Sequence, residues 1–435
     1  MQNKFNAFQN ALALFGDYIG AASFLGIVGL TATRGFDGLF YAVGWIVGWP
    51  IMLFLVAEPM SRRGVTTYVD LIALRFSGKD IKIILSLIGL LCILIFLVAE
   101  LIGAALLLSL ITGINYSLSL FFVTFISVCF VLLGGMFATT WFQIYKTVIL
   151  FSLALIILFL IFYKMNANNV FLANGISSNL FLPQTIFRYP FDYFSLSLAL
   201  LFGTAGLPNV LIRFFTVSDR RSARMSVFLA TVLISIFYLI VFFIGVESRF
   251  VLDKKDLSDG ANMVLLHLTR YLGHNLLFYI TAAITFITIF AVVSGLFVAG
   301  ATTLKEDVIN SKKSYIWAFS VILIGIFADL LAMIFKGQNV AFMVGLSYSL
   351  AASANFPALF CSIYLSNISN IAVISGSLLG AVLAIILTIL GPTVWVDVFH
   401  YSTPIYPFVD STLISMTASF MTIIIISRLQ KSHNT

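Results

Sequence analysis

The continuity of its apolar runs limits what this chain can fold into more than any other feature. Such runs follow one another from end to end, at 8–31, 37–58, 80–110, 116–134, 139–163, 191–216, 223–247, 273–303, 314–335, 339–364, 370–391 and 405–427. A helix needs about 20 apolar residues to cross a bilayer, and these runs have that length. They are unbroken rather than alternating, so they do not read as the strands of a membrane β-barrel. Little polar material is left between them. The 435 residues include 24 Lys and Arg and 17 Asp and Glu, or 9% charged, where soluble domains carry about 25%. The pattern predicts an all-α membrane protein of about twelve transmembrane helices. It excludes a soluble enzyme, a disordered chain and a disulfide scaffold.

The net charge of +7 follows from topology and not from nucleic-acid binding. With the N-terminus inside, about fifteen Lys and Arg fall on that side, among them Arg62, Arg63, Arg220, Arg221, Lys312 and Lys313. About eight fall on the other side, including Arg249, Lys254 and Lys255. The asymmetry predicts a multi-pass protein of the cytoplasmic (inner) membrane with both termini in the cytoplasm. Residues 66–76 read as a short helix at the membrane surface, and 248–272 as a polar loop. The N-terminal run is interrupted by Asp17 too early for a signal peptide. No signalling domain is expected beyond Arg428. Cys92, Cys129 and Cys361 each sit alone in an apolar run, and His267, His274, His400 and His433 form no ligand set, so neither a resident cofactor nor a metal centre is expected. No obligate protein partner is inferred.

An ionisable side chain at membrane depth costs several kcal/mol unless it faces protein or water, which makes each one a functional candidate. Asp17 interrupts the first span and reads as a cation or proton site, or as a cap for the helix that follows. Lys146 lies in the fifth span and either serves function or snorkels to the interface. Glu100, near the middle of the third span, reads as a proton or polar relay or as a hydrogen-bonded packing residue. Asp329 falls near the end of the ninth span and reads as structural.

Two spans are interrupted by small residues. The first reads FGDYIGAASFLG, with Gly16, Gly20 and Gly26; the sixth reads LFGTAGLPNVLIRFF, with Gly203, Gly206 and Pro208. They lie five spans apart. A matched pair of Gly/Pro-broken helices points to a transporter built from inverted repeats. The competing reading is that Gly and Pro are simply common in membrane helices.

The runs FGDYIGAASFLGIVGL, GFDGLFYAVGWIVGWPIMLFLVAE, LGGMFATTWFQIYK, LFGTAGLPNVLIRFFTVSD and QNVAFMVGLSYSLAASANFPALF closely resemble the sodium:solute symporter family, nearest to its acetate (short monocarboxylate) permease branch. The resemblance runs from about Gln9 through the last span. It implies a leucine-transporter-type fold of five plus five inverted helices. The core is then 1–364, with one repeat at about 8–163 and the other at about 191–364, followed by two additional helices in 365–435. It implies a midplane solute site between the broken helices, and alternating access. Three departures stand out. The additional helix that the family carries before the first span is missing here. The Ser/Thr pair that completes the family's sodium site in the eighth span is matched by Ala291 and Val292, with Ser294 close by at another helical angle. The Asp often found in the fifth span of sodium-coupled members is matched by Gln143, with Lys146 three residues on.

The family geometry implies that spans one, five and eight meet. The expected cation-coupling set is therefore Phe15, Asp17, Tyr18, Gln143, Lys146, Ala291 and Ser294, with Lys146 paired to Asp17 in place of a bound cation and either Na+ or H+ as the coupling ion. A monovalent anion is best held by free N–H groups at helix starts. That assigns the solute to Gly20, Ala21 and Ser23 in span one and Gly203, Thr204, Ala205 and Gly206 in span six. The function implied is cation-coupled symport of acetate or a related short monocarboxylate. The alternatives are symport of another small solute, such as proline or pantothenate, or a solute-sensing membrane domain.

Overall fold

The computed structural model of the chain describes residues 6–52, 54–55, 68–76, 78–168, 190–208, 220–253 and 261–433. Arg62, Arg63, Arg213 and the run Lys254–Lys255 lie outside the described residues. The elements are helical, with no strand among the described residues. In order they are α1 (Ala7–Tyr18), α2 (Ala22–Arg34), α3 (Phe36–Met52), α4 (Tyr68–Ala73), α5 (Lys79–Thr112), α6 (Tyr116–Asn168), α7 (Pro190–Gly206), α8 (Arg220–Val251), α9 (Val264–Thr302), α10 (Ser314–Ile334), α11 (Val340–Tyr364), α12 (Asn370–Leu390) and α13 (Thr412–His433). Nine helical segments among them, two of these within α6, are long and apolar enough to cross a membrane, ten when α1 and α2 count as one bent span. The protein is thus a multi-pass membrane protein.

The helix ends follow local chemistry. Asn6 and Gln9 form a reciprocal capping box at the start of α1. The prolines at 404 and 407 keep the chain irregular before the last span, which begins at Thr412 rather than at 405. There Asp410 Oδ1 accepts the Thr412 amide at 2.9 Å and the Ser195 hydroxyl at 2.5 Å. Ahead of the expected eighth span α9 carries a short separate helix, in which Val264, Leu265, Leu266 and Leu268 are buried. α9 bends at Gly273 and His274 before continuing. Expected spans four and five share α6, as the segments Tyr116–Leu133 and Phe142–Lys164. The expected surface helix, 66–76, is α4, which ends at Ala73; residues 66 and 67 lie outside the described residues.

The packing arranges these spans around α1, α2 and α7. α1 lies against α6 and α8; α2 lies against α3, α8 and α11. α7 lies against α3, α11 and α13. Among the unbent spans α11 is the most enclosed, with 89% of its apolar window buried, against 33% for α10 and α12. Conversely, α6 and α10 expose rows of large apolar side chains such as Phe121, Phe125, Phe159, Phe319 and Leu330, the surface a bilayer would cover. At one end Lys82 of α5 pairs with Asp70 of α4 at 3.2 Å and with Asp307, just past α9, at 3.0 Å. Within the membrane Asp329 of α10 accepts the Thr124 hydroxyl of α6 at 2.5 Å.

Candidate functional site

The first span breaks between Tyr18 and Ala21. Ile19 is extended (φ −86°, ψ 105°), and its amide still closes the last turn of α1 on Phe15 at 2.9 Å. The chain then turns by 69° and re-enters helix through a wide π-helical turn, Ala22–Gly26. Asp17 lies in the last turn of α1, before the break rather than at the start of the next half-helix. Breaking a span frees carbonyls on one side and amides on the other, and burial makes both costly unless they find partners.

The freed carbonyl of Gly16 has a partner in Lys146. The ammonium of this buried lysine, 3% exposed, donates to the Gly16 oxygen at 2.5 Å. It therefore points into the break and does not snorkel to the surface. Asp17 and Glu100 are the two carboxylates whose charge acts on it. Next to it Thr147 Oγ1 donates to Leu12 O at 2.9 Å, and one turn earlier Gln143 Nε2 donates to Ala291 O at 3.2 Å. The Gln143 Oε1 atom is buried with no partner among the described residues. Ser294 spends its hydroxyl on its own helix, at Phe290 O, 2.8 Å away. Spans one, five and eight therefore meet here through Gly16, Gln143, Lys146 and Ala291, and two of their main-chain oxygens are already engaged by N–H donors.

The freed amides on the other side have a partner in Glu100. This fully buried side chain of α5 reaches across to the break, where its Oε2 accepts the Ala21 amide at 2.8 Å. The Ala22 amide lies next along the same turn and adds to the field on the carboxylate. Gly20 permits this approach, since a Cβ at that position would overlap the Glu100 carboxyl group. The amide expected to face a solute thus faces a side-chain carboxylate of the protein itself.

At the end of α7 a glycine carbonyl is held in a similar way. α7 ends at Gly206, whose carbonyl accepts Asn355 Nδ2 of α11 at 2.9 Å. Gly203 and Gly206 lie against the backbone of Tyr348 and Ala351, where a Cβ would collide. Thr204, fully buried, donates to Leu200 O at 3.0 Å, and Ala205 beside it is fully buried too.

An aromatic cluster fills the space between the break in span one and the end of α7, and nothing local in the sequence marks it. Tyr18 packs edge-on to Trp49 with centroids 4.9 Å apart, and Trp45 stands 5.8 Å from Tyr238 and 5.9 Å from Tyr348. Phe15 meets Phe237 edge-on at 5.3 Å. Ser23 shares a 2.8 Å hydrogen bond with the Tyr238 hydroxyl. The Trp45 indole nitrogen is buried with no partner among the described residues. Trp45, Tyr238 and Tyr348 come from three helices far apart in sequence, so each reads alone as an ordinary core aromatic.

One broken helix and the end of α7 lie on either side of buried aromatics, with charges held at the break in span one. Sequence comparison settles which kind of protein builds this. The profile of the Sodium:solute symporter family matches residues 2–380. The chain belongs to the sodium:solute symporter family. This symporter is a membrane transporter and not an enzyme. Its fold is similar to that of a Na+-coupled sialic acid symporter in a substrate-bound outward-open state, at TM-score 0.74 and 14% identity, covering 98% of this chain and 91% of that one. It is also similar to Mhp1, a nucleobase-cation-symport-1 family transporter, at TM-score 0.64 and 14% identity, covering 99% and 94% of the two chains. A mutant of the Eremococcus coleocola manganese transporter matches at TM-score 0.57 and 15% identity, covering 99% and 95%. The family implies a solute and a coupled cation as cargo.

Proposed function

We propose that this symporter carries acetate or a related short-chain monocarboxylate into the cell by alternating access, coupled to protons rather than sodium. The reading places it in the cytoplasmic membrane with both termini inside. It has twelve transmembrane helices: a five-plus-five inverted repeat, then α12 and α13. Support for the repeat comes from contacts that recur at an offset of five spans. Span one packs on spans five and seven, and span six packs on spans ten and two. In each case a side chain from the span four later, Lys146 or Asn355, holds a glycine carbonyl at the end of the first half-helix.

The observation that carries the coupling proposal is the Lys146 ammonium on the Gly16 carbonyl. A hard cation such as Na+ prefers oxygen ligands. Here the side chains of Ala291 and Val292 offer none, the Ala291 oxygen accepts Gln143, and the Gly16 oxygen accepts Lys146. A fixed ammonium, balanced by Asp17, stands where a transported cation would otherwise compensate the break. The small residues Gly20, Ala21, Ser23, Gly203, Thr204, Ala205 and Gly206, all buried, suit a solute of few atoms held close to the backbone. Uptake of radiolabelled acetate into cells expressing the protein, challenged with unlabelled propionate, pyruvate, proline and pantothenate, tests the solute. Displacement by the monocarboxylates alone is expected. Displacement by proline or pantothenate at lower concentration would contradict the assignment.

A further inference from the structure

The Ala21 and Ala22 amides are the free donors of a half-helix start, the place where such a helix holds an anion. In this structure the anion is Glu100. Its Oε2 is bonded to Ala21, while its Oε1 is fully buried and has no partner among the described residues. A carboxylate oxygen removed from water without a partner is unfavourable, so Oε1 is a natural place for a proton. A second carboxylate, that of a monocarboxylate solute, cannot join Glu100 at the same two amides while both are charged, because like charges a few Å apart strongly disfavour double ionisation.

We propose that Glu100 is a tethered competitor of the solute, so that a monocarboxylate takes the Ala21–Ala22 amides only when Glu100 gives them up and accepts a proton at Oε1. The inference rests on the monocarboxylate reading above and identifies the group that carries the coupled proton. The exchange balances. One proton from solution converts the Glu100 carboxylate to the acid, the solute anion replaces it on the amides, and one proton leaves when the solute is released. Each solute anion then travels with one proton. The neutral acid has an O–H to donate, and the Lys146 charge remains fixed on Gly16. Lys146, from α6, is the charged group that acts on Glu100; Tyr238, from α8, is the titratable hydroxyl within its electrostatic reach. The elements α9, α10, α11 and α12, also packed against α5, present no charged side chain to it among the described residues.

The test is acetate binding to the purified transporter, followed by calorimetry in buffers of different ionisation enthalpy. Binding that takes up one proton weakens about tenfold per pH unit on the alkaline side. The wild type is expected to take up about one proton per acetate and to show that slope. Glu100→Gln, neutral at all pH, is expected to bind acetate with no proton uptake and no slope. Infrared difference spectra of wild type carrying carboxyl-labelled glutamate supply a readout that needs no variant. A labelled protonated-carboxyl band should appear on acetate binding. Acetate binding without proton uptake, without that band, or with the wild-type slope kept in Glu100→Gln would overturn the exchange while leaving the solute assignment standing. Failure of the wild type to bind any of acetate, propionate, pyruvate and lactate would overturn both.

Discussion

At the scale of single residues, charges stay at membrane depth because main chain needs them there. Lys146 and Glu100 are held by opposite sides of one break, the ammonium on a carbonyl and the carboxylate on amides. Both arrangements follow from elementary electrostatics of helix ends. If Asp17 balances the fixed ammonium, Asp17→Asn should reach the membrane in normal amount yet lose concentrative acetate uptake. Immunoblotting of membranes alongside uptake checks this, and normal accumulation by the variant would exclude Asp17 from coupling. Gly20→Ala should push the Glu100 carboxyl off the Ala21 amide and sharply reduce uptake. Shortening the side chain in the double variant Gly20→Ala, Glu100→Asp should restore part of it, since the collision is with the end of that side chain. Uptake by the single and double variants reads this out, and a double variant no better than the single would contradict the steric mechanism.

At the scale of elements, the sequence marks some features and hides others. The run FGDYIGAASFLG announces a break, since glycines weaken a helix and a carboxylate at membrane depth needs polar surroundings. The same run does not say which side of the break Asp17 occupies, and the structure puts it before the turn, in the last turn of α1. Glu100 reads in sequence as a lone acid in a straight helix. Its role depends on a partner 79 residues away, which no local pattern encodes. Trp45, Tyr238 and Tyr348 are invisible for the same reason. The end of α7 is legible from its glycines and Pro208, and its packing explains why they are small. Gly206→Val would force a branched side chain into the Ala351 backbone and should destabilise the transporter by about 1–3 kcal/mol, as overpacking does. Thermal unfolding in detergent measures it. An unchanged transition would show that α7 and α11 separate more easily than their contact suggests.

At the scale of the molecule, the apolar runs determine the class and the charge asymmetry of the loops proposes the orientation. Single cysteines introduced at Lys313 and Lys431, in a variant lacking Cys92, Cys129 and Cys361, should react with impermeant maleimide only from the cytoplasmic side. A cysteine at Lys336 should react only from outside. Reaction of all three from one side would contradict the proposed topology. The lysine on the Gly16 carbonyl, the carboxylate on the helix start and the lack of side-chain hydroxyls at Ala291 and Val292 underlie the proposal that the proton gradient drives this member of a sodium:solute family. The direct measurement is acetate uptake by proteoliposomes with one gradient imposed at a time. Accumulation with an inward proton gradient in sodium-free buffer, and none with an inward sodium gradient at equal pH, is the predicted result. Accumulation driven by sodium at constant pH, with no response to the proton gradient, would contradict it.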